Sequence, residues 1–198
     1  PDMTLGYFTF QARNQSLPFL VTRLPGKPVL VLGALMLDRD LGGDVSRVSP
    51  EAPVPVVRLT KETERAGAAA NVALNLTNLG IHSRLIGLVG DDDEGRRLRE
   101  LVALAGIDGS GIRTVINRPT ITKTRIIGGH QQMLRIDLEE TDPAPESAME
   151  KLAERIIAQL ERKPVPGAII LSDYGKGVLT ESICQNIIQV ARKSNIPV

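Results

Sequence analysis

Ala66-Gly67-Ala68-Ala69-Ala70-Asn71-Val72-Ala73, followed by Gly80 and then Gly87-Leu88-Val89-Gly90-Asp91-Asp92-Asp93-Glu94-Gly95, is the stretch whose reading decides the fold. Its first half predicts a helix that opens on small side chains. Small residues let a ligand approach the backbone, and the first-turn N–H groups and positive end of the dipole then face that ligand. Asn71 adds a side-chain donor and an acceptor. Taken alone, the octet reads equally well as a small-residue helix packed tightly on a sheet.

The surroundings supply the architecture. Leu85–Gly90 is a short apolar run ending in glycine, and Val29–Gly33 and Ala168–Asp173 are runs of the same kind. Runs without alternation are expected of strands buried on both faces. Helical stripes accompany them: Val72, Ala73, Leu76 and Leu79; Leu98, Leu101, Val102 and Ala105; Met149, Leu152, Ile156 and Leu160; Ile183, Ile187 and Ala191. Strands alternating with helices predict an α/β fold with a parallel sheet and right-handed crossovers. Ile196-Pro197-Val198 reads as the start of a further buried strand, and a sheet cut there is expected to leave an open edge.

Two segments break that rhythm. Residues 45–59 contain Pro50, Pro53 and Pro55 before Val56-Val57-Arg58-Leu59, which predicts an exposed edge strand or flap, since proline is confined to edges and strand starts. Residues 120–138 alternate, with Leu134, Ile136 and Leu138 facing one way and Arg135 and Asp137 the other. That pattern predicts a half-exposed antiparallel strand. The two segments together are expected to form a small β-flap, or lid, beside the parallel core. Its apolar edge, Val54, Val56, Val57 and Leu59, is expected to be covered in a homodimer.

Composition excludes several classes. The chain has 198 residues, 42% hydrophobic and 24% charged, which suits one domain with a real core. The formal net charge of +1 gives no global field for nucleic acid or an anionic membrane. Cys184 is the single cysteine, so no internal disulfide forms, and a reducing cytoplasm is the expected compartment. No apolar run approaches the about 18 residues of a membrane span. Two histidines and one cysteine offer no metal-ligand spacing, and no metal site is expected. Asp91, Asp92 and Asp93 read as a solvated helix start. Residues 1–28 have neither the basic nor the apolar region of a signal peptide and read as an unassigned N-terminal extension.

In order and spacing, the Ala66–Asn71 stretch, Gly80 and the Gly-x-x-Gly-x-Asp-x-x-Gly element over 87–95 resemble the first signature of the ribokinase/PfkB carbohydrate kinases. Gly33-Ala34-Leu35-Met36-Leu37-Asp38 is similar to the family's first strand and sugar-binding aspartate. Gly43-Asp44-Val45-Ser46-Arg47-Val48-Ser49-Pro50-Glu51-Ala52-Pro53-Val54-Pro55-Val56 resembles the lid of one branch, the D-glycero-β-D-manno-heptose 7-phosphate kinases. Arg118–Arg125, Gln131–Asp137 and Leu171–Gly177 match the same branch, and the resemblance runs from Val29 to Val198. It implies a ribokinase-like three-layer α/β/α fold over 29–198, with a mainly parallel central sheet and lid strands near 45–59 and 120–138. The implied activity is ATP-dependent phosphorylation, with Mg2+, of the anomeric hydroxyl of a heptose 7-phosphate, on the way to ADP-heptose and the lipopolysaccharide core.

The resemblance also implies roles. Asp38, expected at the carboxyl end of the first strand, accepts hydrogen bonds from sugar hydroxyls. Gly67, Ala68 and Asn71 hold the sugar through backbone and amide contacts. Arg125, Arg135 and Lys176 are candidates for the distal phosphate, because a guanidinium fork matches phosphate oxygens. Each arginine reads equally as a solvated surface cation. Asp173 and Tyr174 are expected to line the site, with Gln131 and Gln132 as weaker candidates. Two departures stand out: Ala34 where the family has aspartate, and Ala68 where it has glycine. The family continues with an Asp-Pro strand, an Asn-x-x-Glu element and a Gly-Ala-Gly-Asp turn that carries the anion hole and catalytic base. None occurs in these residues. The C-terminal part of the fold is therefore expected to be missing, the catalytic base and nucleotide site to lie beyond residue 198, and the chain to be inactive alone.

Three other readings compete. Another PfkB kinase, acting on ribose or a fructose phosphate, fits the fold but not the Ser-Pro-Glu-Ala-Pro-Val-Pro flap. A non-catalytic fragment that binds a sugar phosphate or dimerises through the flap fits the missing half. A dinucleotide-binding enzyme fits least, since Gly87, Gly90 and Gly95 do not make Gly-x-Gly-x-x-Gly.

Overall fold

The computed structural model describes residues 26–198, so the extension read over 1–28 lies almost wholly outside the described residues. Strands β1 (Val29–Gly33), β4 (Ser83–Gly90), β5 (Asp108–Val115) and β8 (Ala168–Ser172) form one sheet in the order β5-β4-β1-β8. All its pairings are parallel. Alternate residues of these strands feed two cores. Leu30, Leu32, Ile86 and Leu88 share a cluster with Leu152, Ile156 and Leu160 of α3 (Glu146–Glu161) and Ile183, Ile187 and Ala191 of α4 (Glu181–Lys193). Val29, Val31, Leu85 and Val89 share the other with Ala69, Ala70 and Ala73 of α1 (Ala69–Asn78) and Leu98 and Val102 of α2 (Asp93–Leu104). Helices thus cover both faces, which is why these strands carry apolar residues without alternation.

Three details depart from the sequence reading. β5 was not anticipated, because Asp108-Gly109-Ser110-Gly111 presents no apolar run before Ile112. β8 is only part-buried. It lies at the sheet edge, where Ile169 N–H donates to the Pro197 carbonyl at 2.9 Å although 196–198 are not yet a strand. Leu79, expected on the buried stripe of α1, falls on its C-cap and is exposed.

The lid is a second four-stranded sheet, ordered β3-β2-β6-β7. β2 (Leu35–Val48) and β3 (Pro55–Ala68) are antiparallel 14-residue strands, much longer than the flap expected at 45–59. β6 (Ile121–Gly128) runs parallel to β2 and turns back as β7 (Gln131–Leu138). Pro50 and Pro53 sit in the tip loop between β2 and β3, and Pro55 opens β3, so none interrupts a ladder. Only Ala34 separates β1 from β2. Asp38 is therefore not at the end of the first core strand, as expected, but four residues into the lid. β7 is exposed at every residue rather than half-buried. Register confirms that Leu134, Ile136 and Leu138 share one face, but nothing in a single chain covers it.

Two polar clusters tie lid to core. Asp92 caps α2 through Gly95 N–H at 2.7 Å and also accepts from Thr120 N–H at 2.7 Å and Thr120 Oγ1 at 2.6 Å. Burial pushes its carboxyl up, but the bonds from Thr120 and Gly95 and the charge of Arg96 outweigh that and hold it below the usual range. Asp92 is thus a pinned anchor, not part of a solvated helix start. On the outer side, Arg39 of β2 meets Glu64 of β3 at 2.9 Å and Glu94 of α2 at 3.7 Å, and Arg97 of α2 meets Glu64 at 2.7 Å.

Candidate functional site

The registers of the lid strands place one set of charged side chains on one face. Asp38 lies opposite Arg65 on β3 and Lys123 on β6. Asp40 lies opposite Arg125, which in turn lies opposite Arg135 on β7, while Lys123 lies opposite Asp137. Side chains two apart on a strand share a face, so this row faces the core as a unit. Between it and the core is a cavity of about 510 Å³. Met36, Asp38, Arg65, Lys123, Arg125 and Arg135 line it from the lid. Ala66, Gly67, Ala68 and Asn71 line it from the junction of β3 with α1, and Tyr174 and Lys176 from the loop after β8.

Every cation in this cavity is already paired. Arg125 lies 2.8 Å from Asp38 and 3.4 Å from Asp40, and Arg65 pairs with Asp40. Lys123 bridges Asp137 at 3.1 Å and Glu139 at 3.5 Å; Arg135 reaches Asp137 at 2.9 Å, and Lys176 reaches Glu139 at 2.8 Å. The five cations face four carboxylates, leaving one positive charge in excess. Lys176 and Lys123 hold Glu139 below its usual range against the opposing effect of burial. Asp137 is pushed up by burial, but Lys123 and Arg135 prevail and lower it. Asp38 raises Arg125, with Asp40 adding to the effect and burial opposing it. Both carboxylates near the lysines are therefore ionised at neutral pH.

Asp38 and the junction of β3 with α1 meet in the same cavity. Asp38 Oδ1 is buried, and although Arg125 is at ion-pair distance, no N–H is aligned on that oxygen. It is an acceptor without a directed donor. Gly67 is opposite Met36, and a Cβ there would run into the Asp38 carboxylate. Ala68 ends β3 with φ 51° and ψ −125°, a region that L-residues rarely adopt. It caps α1 without a side-chain hydrogen bond, and the first N–H of the helix, that of Ala69, donates to the Ala34 carbonyl at 3.0 Å.

Asp38, Gly67, Ala68, Asn71, Arg125, Arg135 and Lys176 thus line one cavity. Asp173 does not: its carboxylate accepts from Gly175 N–H at 2.9 Å and shapes the turn before Lys176. Gln131 and Gln132 lie at the exposed start of β7 and are not among the lining residues. Arg65, Lys123, Asp137 and Glu139 were missed. A period-two reading of Lys123 with Arg125, and of Arg135 with Asp137, is the signal that finds two of them; Glu139 lies just past the end of β7, and Arg65 needed the β2–β3 register.

The family description of pfkB family carbohydrate kinases matches residues 27–198. The chain belongs to the pfkB carbohydrate kinase family. Among curated relatives, the bifunctional protein HldE of Methylobacillus flagellatus is 55% identical over 170 residues, 86% of this chain and 34% of that protein. HldE of Magnetococcus marinus is 51% identical over 172 residues, 87% of this chain and 35% of that protein. The chain spans about a third of the length of the curated relatives it matches. A carbohydrate kinase from Agrobacterium tumefaciens superposes with a TM-score of 0.60 at 23% identity, covering 86% of this chain and 52% of that one. Arabidopsis thaliana ribokinase, solved with ribose and ATP, gives 0.58 at 18% identity over 87% of this chain and 52% of that one. The ribokinase-like fold is therefore present here as about half of the solved pfkB-type chains.

Kinases of this family use ATP. The described residues offer no carboxylate group placed to hold its magnesium ion. No three His, Cys, Asp or Glu side chains among them are grouped to hold a metal ion, Asp92 is spent on Thr120 and Gly95, and Asp93 on Arg96. No helix among the described residues is long and apolar enough to cross a membrane.

Proposed function

We propose that this cavity is the acceptor half of a sugar-phosphate kinase, binding a heptose 7-phosphate for phosphorylation at its anomeric hydroxyl. The observation that carries the reading is the lining of the cavity. Asp38, which keeps an oxygen with no directed N–H, and a small-residue helix start share it with Lys123, Arg125, Arg135 and Lys176. A polyol bearing a phosphate presents the complementary groups, hydroxyl donors and anionic oxygens. The Ser-Pro-Glu-Ala-Pro-Val-Pro flap, which resembles the lid of the heptose 7-phosphate kinases, favours a heptose over ribose or fructose phosphate. An incoming phosphate that draws Arg125 toward itself also releases Asp38 for hydroxyls, so phosphate and hydroxyl binding support each other.

Transfer of phosphate needs a base at the attacking oxygen and donors around the moving group. The Gly-Ala-Gly-Asp turn that supplies both by family resemblance is not among these 198 residues. We assign sugar-phosphate binding to the residues described, and Mg-ATP chemistry, in the cytoplasm, to their combination with such a turn. The exposed apolar face of β7 and the lid tip also fit a homodimer formed lid to lid.

Calorimetric titration with D-glycero-D-manno-heptose 7-phosphate tests the binding site. Asp38→Ala is expected to weaken binding by on the order of 1.5–3 kcal/mol, the size of a hydrogen bond to a charged group. Lys176→Ala is expected to weaken the phosphorylated sugar far more than the unphosphorylated one. Unchanged affinity in both variants sinks the reading. In a coupled assay with ATP and magnesium, the 198 residues alone are expected to give no turnover; turnover would place a base among residues assigned here to sugar binding.

A further inference from the structure

Arg118, in the loop between β5 and β6, is 8% exposed and lines no part of the cavity. Its guanidinium joins three stretches of chain. Nη2 donates to the carbonyls of Glu140 at 2.8 Å, Asp142 at 2.9 Å and Lys176 at 3.2 Å. Nη1 lies 3.5 Å from the Glu140 carboxylate. The first two carbonyls belong to the segment leaving β7, and the third belongs to Lys176 itself.

The same two segments are closed further on. Ala144 N–H donates to the Gly177 carbonyl at 3.2 Å. Gly177 has φ +66°, and a Cβ there would strike the Asp142 carbonyl, so the approach requires glycine. From the other side, Glu139 holds the Lys176 ammonium at 2.8 Å. The backbone of Lys176 is thus tied to the root of the lid hairpin, while its side chain extends into the cavity. Lysine is a flexible point charge, and the cost of ordering it falls on binding unless its backbone is fixed beforehand. A planar fork can hold several carbonyls in one arrangement; an ammonium on a similar stem cannot reproduce it.

We propose that Arg118 is a positioning residue for the phosphate end of the site, fixing the Lys176 backbone against the lid hairpin so that the ammonium is delivered to the phosphate. This rests on the assignment of Lys176 given under Proposed function. Arg118 bonds to none of Asp38, Gly67, Ala68 and Asn71, the residues assigned to the sugar hydroxyls.

The experiment is calorimetric titration of the 198-residue chain with the heptose 7-phosphate and with the same heptose lacking phosphate. Arg118→Ala is expected to lose about tenfold in affinity for the phosphorylated sugar and to stay within about twofold for the other. Guanidinium ion at millimolar concentration is expected to restore part of the loss in Arg118→Ala and to do nothing for the parent. Arg118→Lys keeps charge and stem but not the fork; it is expected to share the loss, and it carries the test should the alanine variant not fold. Thermal unfolding of each variant monitors the fold. No loss, or an equal loss for both sugars, overturns the proposal. Lys176→Ala is run in parallel. If it removes the preference for phosphate while the Arg118 variants keep it, only the positioning role falls; if it leaves that preference intact, the reading of the site falls and this inference with it.

Discussion

At the scale of single residues, Ala68 carries the clearest local conflict. Its φ of 51° with ψ −125° is glycine territory, and an L-residue held there stores on the order of 1–3 kcal/mol. Two effects oppose a replacement by glycine: its buried methyl contributes about 0.8 kcal/mol, and glycine's greater unfolded freedom costs about 0.5–1 kcal/mol. Because ψ lies outside the ordinary left-handed well, the strain is placed at the upper end of its range. Ala68→Gly is therefore expected to stabilise the chain by about 1 kcal/mol, raising the thermal midpoint by a few degrees. A lower midpoint would show that the methyl outweighs the strain. The same methyl stands at the sugar end of the cavity, so the glycine variant is also expected to bind sugar phosphate no more weakly than the parent.

Among the elements, the junction of α2 with β6 depends on one carboxylate. Asp92 serves as the N-cap of α2 and takes both donors of Thr120, which starts the lid hairpin. An asparagine offers a single acceptor oxygen where two are in use, so Asp92→Asn is expected to cost about 2–3 kcal/mol at neutral pH. The sign of the pH effect follows from its lowered carboxyl. A group whose folded pKa is depressed contributes fully above its unfolded value, about 3.9, and that contribution is lost as pH falls through the folded pKa. Denaturant unfolding at pH 7 and at successively lower pH should show the parent and Asp92→Asn converging in acid. A constant gap down to low pH would mean that the charge of Asp92 is irrelevant.

For the whole molecule, the decisive feature is a lid sheet with one charged face over the cavity and one exposed face. Leu134, Ile136 and Leu138 are 56, 52 and 51% exposed on β7, and Val45, Val54 and Leu59 lie exposed on β2, the tip and β3. Edges and patches of this kind are ordinarily covered, and two-fold pairing is the commonest solution. Sedimentation of the parent is expected to show a concentration-dependent dimer in the micromolar range. Leu134→Lys with Ile136→Glu should give a monomer whose thermal midpoint in dilute solution is nearly unchanged, since both side chains are half-exposed in the single chain. A parent that remains monomeric at high micromolar concentration would remove the lid-to-lid dimer.

The sequence by itself determined the layers. Uninterrupted apolar runs at Val29–Gly33 and Leu85–Gly90 and the 3.6-period stripes around Leu98, Leu152 and Ile183 are local patterns imposed by burial on both faces, and each sits where those runs and stripes placed it. Asp38, Arg125, Arg135 and Lys176 were legible as chemistry because their motifs are written contiguously. What only the tertiary structure decided was register and reach. Whether Asp38 belongs to a core strand or to the lid depends on one connecting residue, Ala34, which carries no turn signal. That Lys123 and Arg65 join the same face follows from pairings between strands far apart in the chain. The first half of β5, Asp108–Gly111, exists because β4 offers it a ladder, not because those residues favour one. Arg118 is the extreme case: three carbonyls from distant segments meet one guanidinium, and no local pattern encodes a backbone acceptor, since every residue has one.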